Sequence, residues 1–127
     1  MSKKIIFTDK APAPIGPYSQ AVLSDNTLYT SGQIAINPAN GELVLDNIEL
    51  ETEQVMQNLK AVLEAVDMNF ENVIKATIFI MNMGDFARIN AIYGKYFNDA
   101  SAPARETVQV ATLPKNVNIE ISVIAVK

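Results

Sequence analysis

The 127-residue chain contains no histidine and no cysteine. Without an imidazole or a thiol there is no Ser-His-Asp triad, no thiol nucleophile and no ordinary zinc site. Any chemistry must therefore come from carboxylates, Arg, Lys, Tyr, hydroxyls, backbone groups and water.

Basic clusters and long apolar runs are missing as well. The net charge is −4, and the only adjacent basic pair is Lys3-Lys4. Because nucleic-acid binding normally relies on a basic face, the charge balance argues against it. No stretch approaches the ~20 apolar residues that cross a bilayer, and the N-terminus lacks the apolar run of a secretory signal. We therefore expect no nucleic acid and no membrane as partner, and a cytoplasmic location.

Hydrophobic residues make up 49% of the chain, which is enough for a genuine core. No repeat or linker divides it, so we predict a single domain over residues 1–127. Hydrophobic periodicity predicts the order β-β-α-β-α-β-β, with a short extra strand at "KIIF". Two amphipathic helices against one sheet make an α+β, two-layer domain. One sheet face is then bare, and we expect it to meet another subunit.

Alternation along two predicted strands assigns side chains to faces. After a turn at Asp25-Asn26, one face of the strand is expected to carry Leu28, Thr30, Gly32, Ile34 and Ile36. A glycine inside a strand indicates a bulge or the close approach of another group. In the segment "NVIKATIFIM", one side is expected to carry Ile74, Ala76, Ile78 and Ile80.

Two segments have helical periodicity. The first runs from about Ile48 to Val66, with acidic residues favouring its N-terminal end. The second runs from about Asp85 to Phe97, and either Asp85 or Asn82 is expected to cap it.

The stretch "SAPARETVQVATLP" places Arg105 at the start of a strand. Its planar guanidinium matches a carboxylate with two charge-assisted hydrogen bonds. Arg105 could equally be a solvated charge or pair with a surface acid. Glu120, within the apolar last strand, could position or activate a water, or form an ordinary ion pair. The residues alone leave these alternatives open.

Three more segments carry candidate binding residues. The loop "APIGPYSQA" carries Tyr18, which could line a pocket and offer its hydroxyl, or could pack into the core near the edge of the domain. In "TSGQI", Ser31 precedes Gly32, where the backbone can approach a ligand closely. Asn90 lies on the second helix, where most asparagines are simply solvated.

The segments "GPYSQA", "TSGQI", "NLKAVLEA" and above all "PARETVQVATLP…VNIEISVIAV" resemble the Rid family, the YjgF/YER057c/UK114 family of reactive intermediate deaminases. The resemblance covers essentially the whole chain. It implies a chorismate-mutase-like fold, with a mixed sheet and both helices on one face, that assembles as a homotrimer with ligand clefts between subunits. It also implies hydrolysis of 2-imino acids, such as 2-iminopropanoate and 2-iminobutanoate, to 2-keto acids and ammonia, without metal or cofactor. The alternatives are a keto-acid-binding regulatory trimer and, less favoured, an endoribonuclease or translation inhibitor.

Matched position by position, the resemblance implies that Arg105 holds the substrate carboxylate and Glu120 positions water. It assigns further substrate-binding positions to Tyr18, Ser31, Gly32, Asn90 and Thr107. Many relatives have cysteine at position 107, so the threonine is expected to alter pocket shape rather than abolish activity. In a tight hairpin of the last two strands, Arg105 and Glu120 would lie roughly 16 Å apart. They can serve one cleft only if those strands are not hairpin neighbours, or if an adjacent subunit contributes.

Overall fold

The structure, a computed structural model, describes residues 3–127 as six strands and two helices. The strands are β1 (Lys4–Ile6), β2 (Ala21–Ser24), β3 (Thr27–Thr30), β4 (Val73–Ile80), β5 (Ala104–Gln109) and β6 (Ile119–Val126). The helices are α1 (Ile48–Glu64) and α2 (Phe86–Tyr93). The predicted order of elements is confirmed, including the short strand near the N-terminus.

All six strands join one mixed sheet in the order β1-β2-β3-β6-β4-β5. The β4–β5 pair is parallel and the other pairs are antiparallel. A parallel pair needs a crossover connection, and α2 supplies it between β4 and β5. As a result β4 lies between the last two strands, which are therefore not a hairpin, and β5 forms an edge of the sheet.

Both helices pack on the same face of the sheet. Along β6 the burial alternates: Ile119, Ile121, Val123 and Ala125 are buried with the apolar residues of α1 and α2 in one core cluster. The opposite side of the sheet, called here the open face, carries Val22, Tyr29, Phe79, Glu120 and Ile124. The domain is thus a two-layer α+β structure with one partly exposed sheet face.

A bulge after β3 overturns the first face prediction. Tyr29 pairs with Ile124, and Gln33 forms a bridge to Ile121. Four residues of the segment that begins with β3 are therefore matched by three residues of β6. The extra residue reverses the alternation. The prediction that the even-numbered residues from 28 to 36 share one face is therefore wrong beyond the bulge, and Ala35 joins the main core.

A second bulge overturns one assignment in β4. The register shifts between Val73 and Lys75, which turns Ile74 outward and leaves it 50% exposed. The other three predicted inward residues are fully buried: Ala76, Ile78 and Ile80.

The helices form close to where periodicity predicts them. Asn47 caps α1 by accepting a hydrogen bond from the Leu50 N–H at 2.8 Å. The second helix is shorter than predicted, because the chain continues past Tyr93 as a 3₁₀ turn. Asn82 caps the preceding 3₁₀ turn, whereas Asp85 makes no capping bond. Neither helix of the described chain has the length and apolar character needed to cross a membrane.

A buried carboxylate anchors the start of β6. Glu51 of α1 is fully buried, and its oxygens accept hydrogen bonds from the Asn118 N–H, the Asn118 Nδ2 and the Ile119 N–H at 2.7–3.2 Å. The helix thereby holds the strand end that carries Glu120.

Candidate functional site

Arg105 lies at the sheet edge and points toward the helix layer. It pairs across the sheet with Ala76, and directly opposed residues share a face. Its Nη1 donates a hydrogen bond to Asn90 Oδ1 at 2.7 Å. The guanidinium carbon also lies 4.9 Å from the ring centroid of Tyr93 and 5.6 Å from that of Phe86. Three residues of α2 therefore hold the guanidinium.

The two arginines of the chain differ in their charge partners. Arg88 pairs with Glu49 at 2.7 Å and with Asp85 at 3.5 Å. Within residues 3–127, Arg105 forms no ion pair. A half-buried cation that meets only an amide oxygen and two aromatic faces favours the approach of an anion.

A cleft of about 270 Å³ opens beside this guanidinium; we call it the Arg105 cleft. It is lined by Asn90, Tyr93, Gly94, Phe97, Asp99, Ala102, Pro103 and Arg105. Thr107 faces the same layer two residues further along β5. The Thr107 Oγ1 and the Tyr93 hydroxyl are both buried and have no hydrogen-bond partner in the described part of the chain.

Glu120 lies on the open face, where it pairs with Phe79. Burial raises the pKa of its carboxyl above the ordinary value. The backbone of Gly32 passes directly beside it: a Cβ on residue 32 would lie 2.6 Å from Glu120 Cδ. Because glycine has no side chain, the Glu120 carboxylate can occupy this space.

A second cleft, of about 350 Å³, surrounds this carboxylate; we call it the Glu120 cleft. It is lined by Pro12, Ala13, Ile15, Tyr18, Gln20, Ser31, Gly32, Gln33, Ile34, Ile36, Pro114 and Glu120. The Ser31 hydroxyl donates to the Ser19 carbonyl at 2.5 Å, and the Tyr18 hydroxyl accepts from the Ile15 N–H at 3.3 Å. Three predicted binding residues thus gather around Glu120, whereas Asn90 and Thr107 lie with Arg105.

The predicted site falls into two halves that one chain does not bring together. Arg105 is level with Ala76 of β4, and Glu120 is level with Phe79. Three residues along the strand and two strand spacings across the sheet put their Cα atoms roughly 14 Å apart. An odd separation also places them on opposite faces. Separating the last two strands is therefore not enough to bring the two residues into one cleft of a single chain.

Sequence analysis missed two supports of these clefts. Gln20 is 1% exposed and makes four hydrogen bonds to the segment Thr8–Pro12, which continues into the wall of the Glu120 cleft. Its partners lie eight to twelve residues away, so no local pattern indicates them. Phe86 and Tyr93 were not among the predicted site residues, although their spacing from Asn90 places all three on one face of α2.

Within residues 3–127, no three Asp or Glu side chains cluster as metal ligands would. The donor groups at the two clefts are one guanidinium, one carboxylate, hydroxyls and amides, which suits the binding of a small organic acid.

The fold and the two clefts define a small α+β protein with a half-buried carboxylate and a guanidinium that has no acid partner among residues 3–127. The Endoribonuclease L-PSP family matches residues 8–127. The 2-iminobutanoate/2-iminopropanoate deaminase of Bos taurus is 48% identical over 98% of this chain and 90% of its own length. The chain belongs to the Rid (YjgF/YER057c/UK114) family.

Solved structures agree with this assignment. A Rid-family protein of Yersinia pestis, YyfA, superposes with a TM-score of 0.96 at 46% identity, covering 99% of this chain and all of that one. Escherichia coli TdcF, solved with bound serine, superposes with a TM-score of 0.92 at 41% identity and 98% coverage of both chains.

Proposed function

We propose that the protein hydrolyses 2-imino acids to 2-keto acids and ammonia. Arg105 holds the substrate carboxylate, and Glu120 positions the attacking water. The proposal depends most on the surroundings of Arg105. Its half-buried guanidinium is oriented by Asn90 and two aromatic rings, and it has no acid partner in the described chain. The name of the bovine relative supports the reaction type.

The chemistry fits the available groups. Water adds to C2 of the protonated imine and loses one proton to Glu120, which gives a neutral carbinolamine. Glu120 then protonates the nitrogen. The C2–N bond breaks as the C2–O double bond forms, ammonia leaves, and the hydroxyl proton passes through Glu120 to solvent. No covalent nucleophile is needed, because the protonated imine is already electrophilic. Orientation and proton transfer are what the protein must supply. Glu120 takes the proton from the attacking water and returns it to the departing nitrogen, and its raised pKa suits both roles.

The complete cleft, we infer, forms between chains of a homotrimer. One chain contributes Arg105 with Asn90 and Thr107, and its neighbour contributes Glu120 with Tyr18, Ser31 and Gly32. Two features support this arrangement. The unpaired edge of β5 carries Arg105, and the open face exposes apolar side chains that a second chain would cover: Ile5, Tyr29 and Val108.

A coupled assay tests the activity. A threonine dehydratase releases the imine, and formation of the keto acid is followed with and without the protein. Two charge-assisted hydrogen bonds are worth roughly 3–6 kcal/mol, so Arg105→Ala should lower kcat/KM by about 10²-fold or more. Arg88→Ala removes the other arginine, which is already neutralised by Glu49, and should leave the rate unchanged. Wild-type protein that does not accelerate imine decay would refute the proposal.

Mixed oligomers test the shared cleft. Arg105→Ala and Glu120→Gln chains, each inactive alone, are unfolded together, refolded together and assayed. If neighbouring chains supply the two residues, random assembly restores roughly one cleft in four. If each cleft is built within one chain, mixing restores nothing.

The serine bound to TdcF keeps a second candidate open, because serine carries an α-carboxylate but no imine. A keto-acid-binding regulatory trimer would use Arg105 in the same way and would not need Glu120. Calorimetric binding of 2-ketobutyrate without any acceleration of imine decay would favour this candidate. The net charge of −4 and the lack of histidine argue against a ribonuclease.

A further inference from the structure

We propose that Tyr93 and Phe86 are positioning residues for Arg105, and that their rings aim its free donors at the bound carboxylate. The proposal rests on the proposed role of Arg105 as the carboxylate anchor. It adds two residues to the site, with a function for their rings that is separate from packing. We call Phe86, Asn90 and Tyr93 the cradle.

The cradle occupies one face of α2. Successive members are four and three residues apart, so at 3.6 residues per turn they project within a narrow arc. Each of them contacts the same guanidinium, Asn90 through a hydrogen bond and the aromatic residues through their ring faces. A single helix therefore holds a side chain that comes from the sheet layer of the domain.

This arrangement orients the guanidinium but leaves most of its N–H donors free to bind a ligand. Arginine has five N–H donors in a fixed fork, and the one hydrogen bond that the Arg105 guanidinium makes inside the described chain goes to Asn90. Its flexible stem loses much rotamer freedom when the head is held. The rings supply that restraint before a ligand arrives, and they do so without an acid that would compete for the fork.

The rings, rather than the Tyr93 hydroxyl, carry the effect. Tyr93 is only 6% exposed, and its hydroxyl has no hydrogen-bond partner among the described residues. Phenylalanine at this position keeps the ring face and removes an unsatisfied polar group. Leucine keeps apolar bulk and removes the ring face.

Four variants separate positioning from packing. Binding of 2-ketobutyrate is measured by calorimetry, and imine turnover by the coupled assay. Tyr93→Leu and Phe86→Leu should each weaken binding by roughly 2- to 30-fold, the range of a cation–π contact, and should raise KM more than they lower kcat. Tyr93→Phe should stay within about 2-fold of wild type. Ile89→Val, at a buried position of the same helix without a ring or a hydrogen-bonding group, should lower stability and leave KM unchanged.

Nuclear magnetic resonance reads the cradle directly, without ligand or turnover. The chain has two arginines, so their Nε–Hε signals are easily assigned, and Arg88 serves as an internal control. In the wild type the Arg105 signal should be displaced by the two ring currents, and its Nη hydrogens should be resolved because rotation is slow. Both leucine variants should lose these features while Arg88 is unaffected.

Double variants complete the test. In an Arg105→Ala background, Tyr93→Leu should cause no further loss of ligand affinity, because the ring acts through the guanidinium. A further loss equal to that in the wild type would overturn the proposal, as would an unchanged Arg105 spectrum in both leucine variants. If wild-type protein neither binds keto acids nor speeds imine decay, the proposed function fails, and the spectrum still decides whether the rings hold the guanidinium.

Discussion

The two halves of the candidate site are built in different ways. The Arg105 half uses regular elements: one helix face and the alternation of β5 bring Arg105 and the cradle together. The Glu120 half depends on irregularity, since a bulge places Gly32 beside Glu120 and a buried glutamine ties down a loop. Regular elements position a group through spacing alone, whereas the irregular half requires contacts between distant segments.

The halves also differ in their electrostatics. Arg105 has no counter-ion among residues 3–127, whereas burial raises the pKa of the Glu120 carboxyl. An anchor needs a permanent charge, and a group that moves protons needs a pKa nearer the working pH. The division of labour proposed for the two residues follows from these two environments.

Filling the space beside Glu120 should cause a large loss of activity. In Gly32→Ala the new Cβ meets the Glu120 carboxyl at 2.6 Å, so the carboxylate must move. Misplacement of a catalytic group by about 1 Å costs about 10²-fold in rate, and we expect a loss of that size in kcat in the coupled assay. Binding of 2-ketobutyrate, which depends on Arg105, should change far less. Equal losses of binding and turnover would contradict the separation of the two halves.

Loosening the loop beside the Glu120 cleft should have a smaller effect, mainly on stability. Gln20→Leu keeps the side-chain volume and removes four hydrogen bonds to Thr8, Ala11 and Pro12. Buried groups left without partners cost about 1–3 kcal/mol each, less where water reaches them, so we expect the free energy of unfolding to fall by roughly 2–3 kcal/mol. Urea denaturation measures this change. Gln57→Leu, at an exposed position, serves as a control whose urea midpoint should stay near that of wild type. An unchanged midpoint for Gln20→Leu would show that the Gln20 hydrogen bonds do not stabilise the loop.

The pH dependence of stability should identify Glu120. A carboxyl whose pKa is raised in the folded state binds its proton more tightly there than in the unfolded chain. Stability therefore falls as pH rises from the ordinary glutamate pKa through the raised one. Urea midpoints from about pH 4 to pH 8 should show this decline in wild type and lack it in Glu120→Gln.

Glu49 also contributes to the pH dependence of stability, in both proteins. The hydrogen bond from Arg88 lowers the Glu49 pKa, so its contribution has the opposite slope and is common to both proteins. The difference between the two pH curves thus isolates Glu120. A flat difference would mean that burial does not shift its pKa.

The smallest effect is expected at Thr107. Its buried Oγ1 has no partner within residues 3–127, so Thr107→Val removes an unsatisfied group at nearly constant volume. We expect unchanged or slightly higher stability by urea denaturation, and kcat/KM within about 2-fold of wild type. A large loss of activity would show that the hydroxyl itself contacts the substrate.

Much of the fold was predictable because it follows local periodicity. The order of the elements, the first helix and the turn at Asp25-Asn26 are confirmed. The assignments that failed, Ile74 and the residues after Thr30, lie at bulges, where a single extra residue reverses the faces of everything beyond it. A bulge is decided by pairing with a partner strand, and no pattern within one strand reveals it. The single-domain assignment, the trimer and the cytoplasmic location stay predictions.

The amino-acid sequence by itself determined the elements, the residue types available for chemistry and the positions that match the Rid family, because each of these is a local property of the chain. Only the tertiary structure decided that Arg105 has no acid partner among residues 3–127 while Arg88 has two, and that Glu120 lies on the opposite sheet face. Both outcomes depend on β4 standing between β5 and β6. Strand order is a global property, set by which surfaces bury the most apolar area together, and local sequence does not encode it.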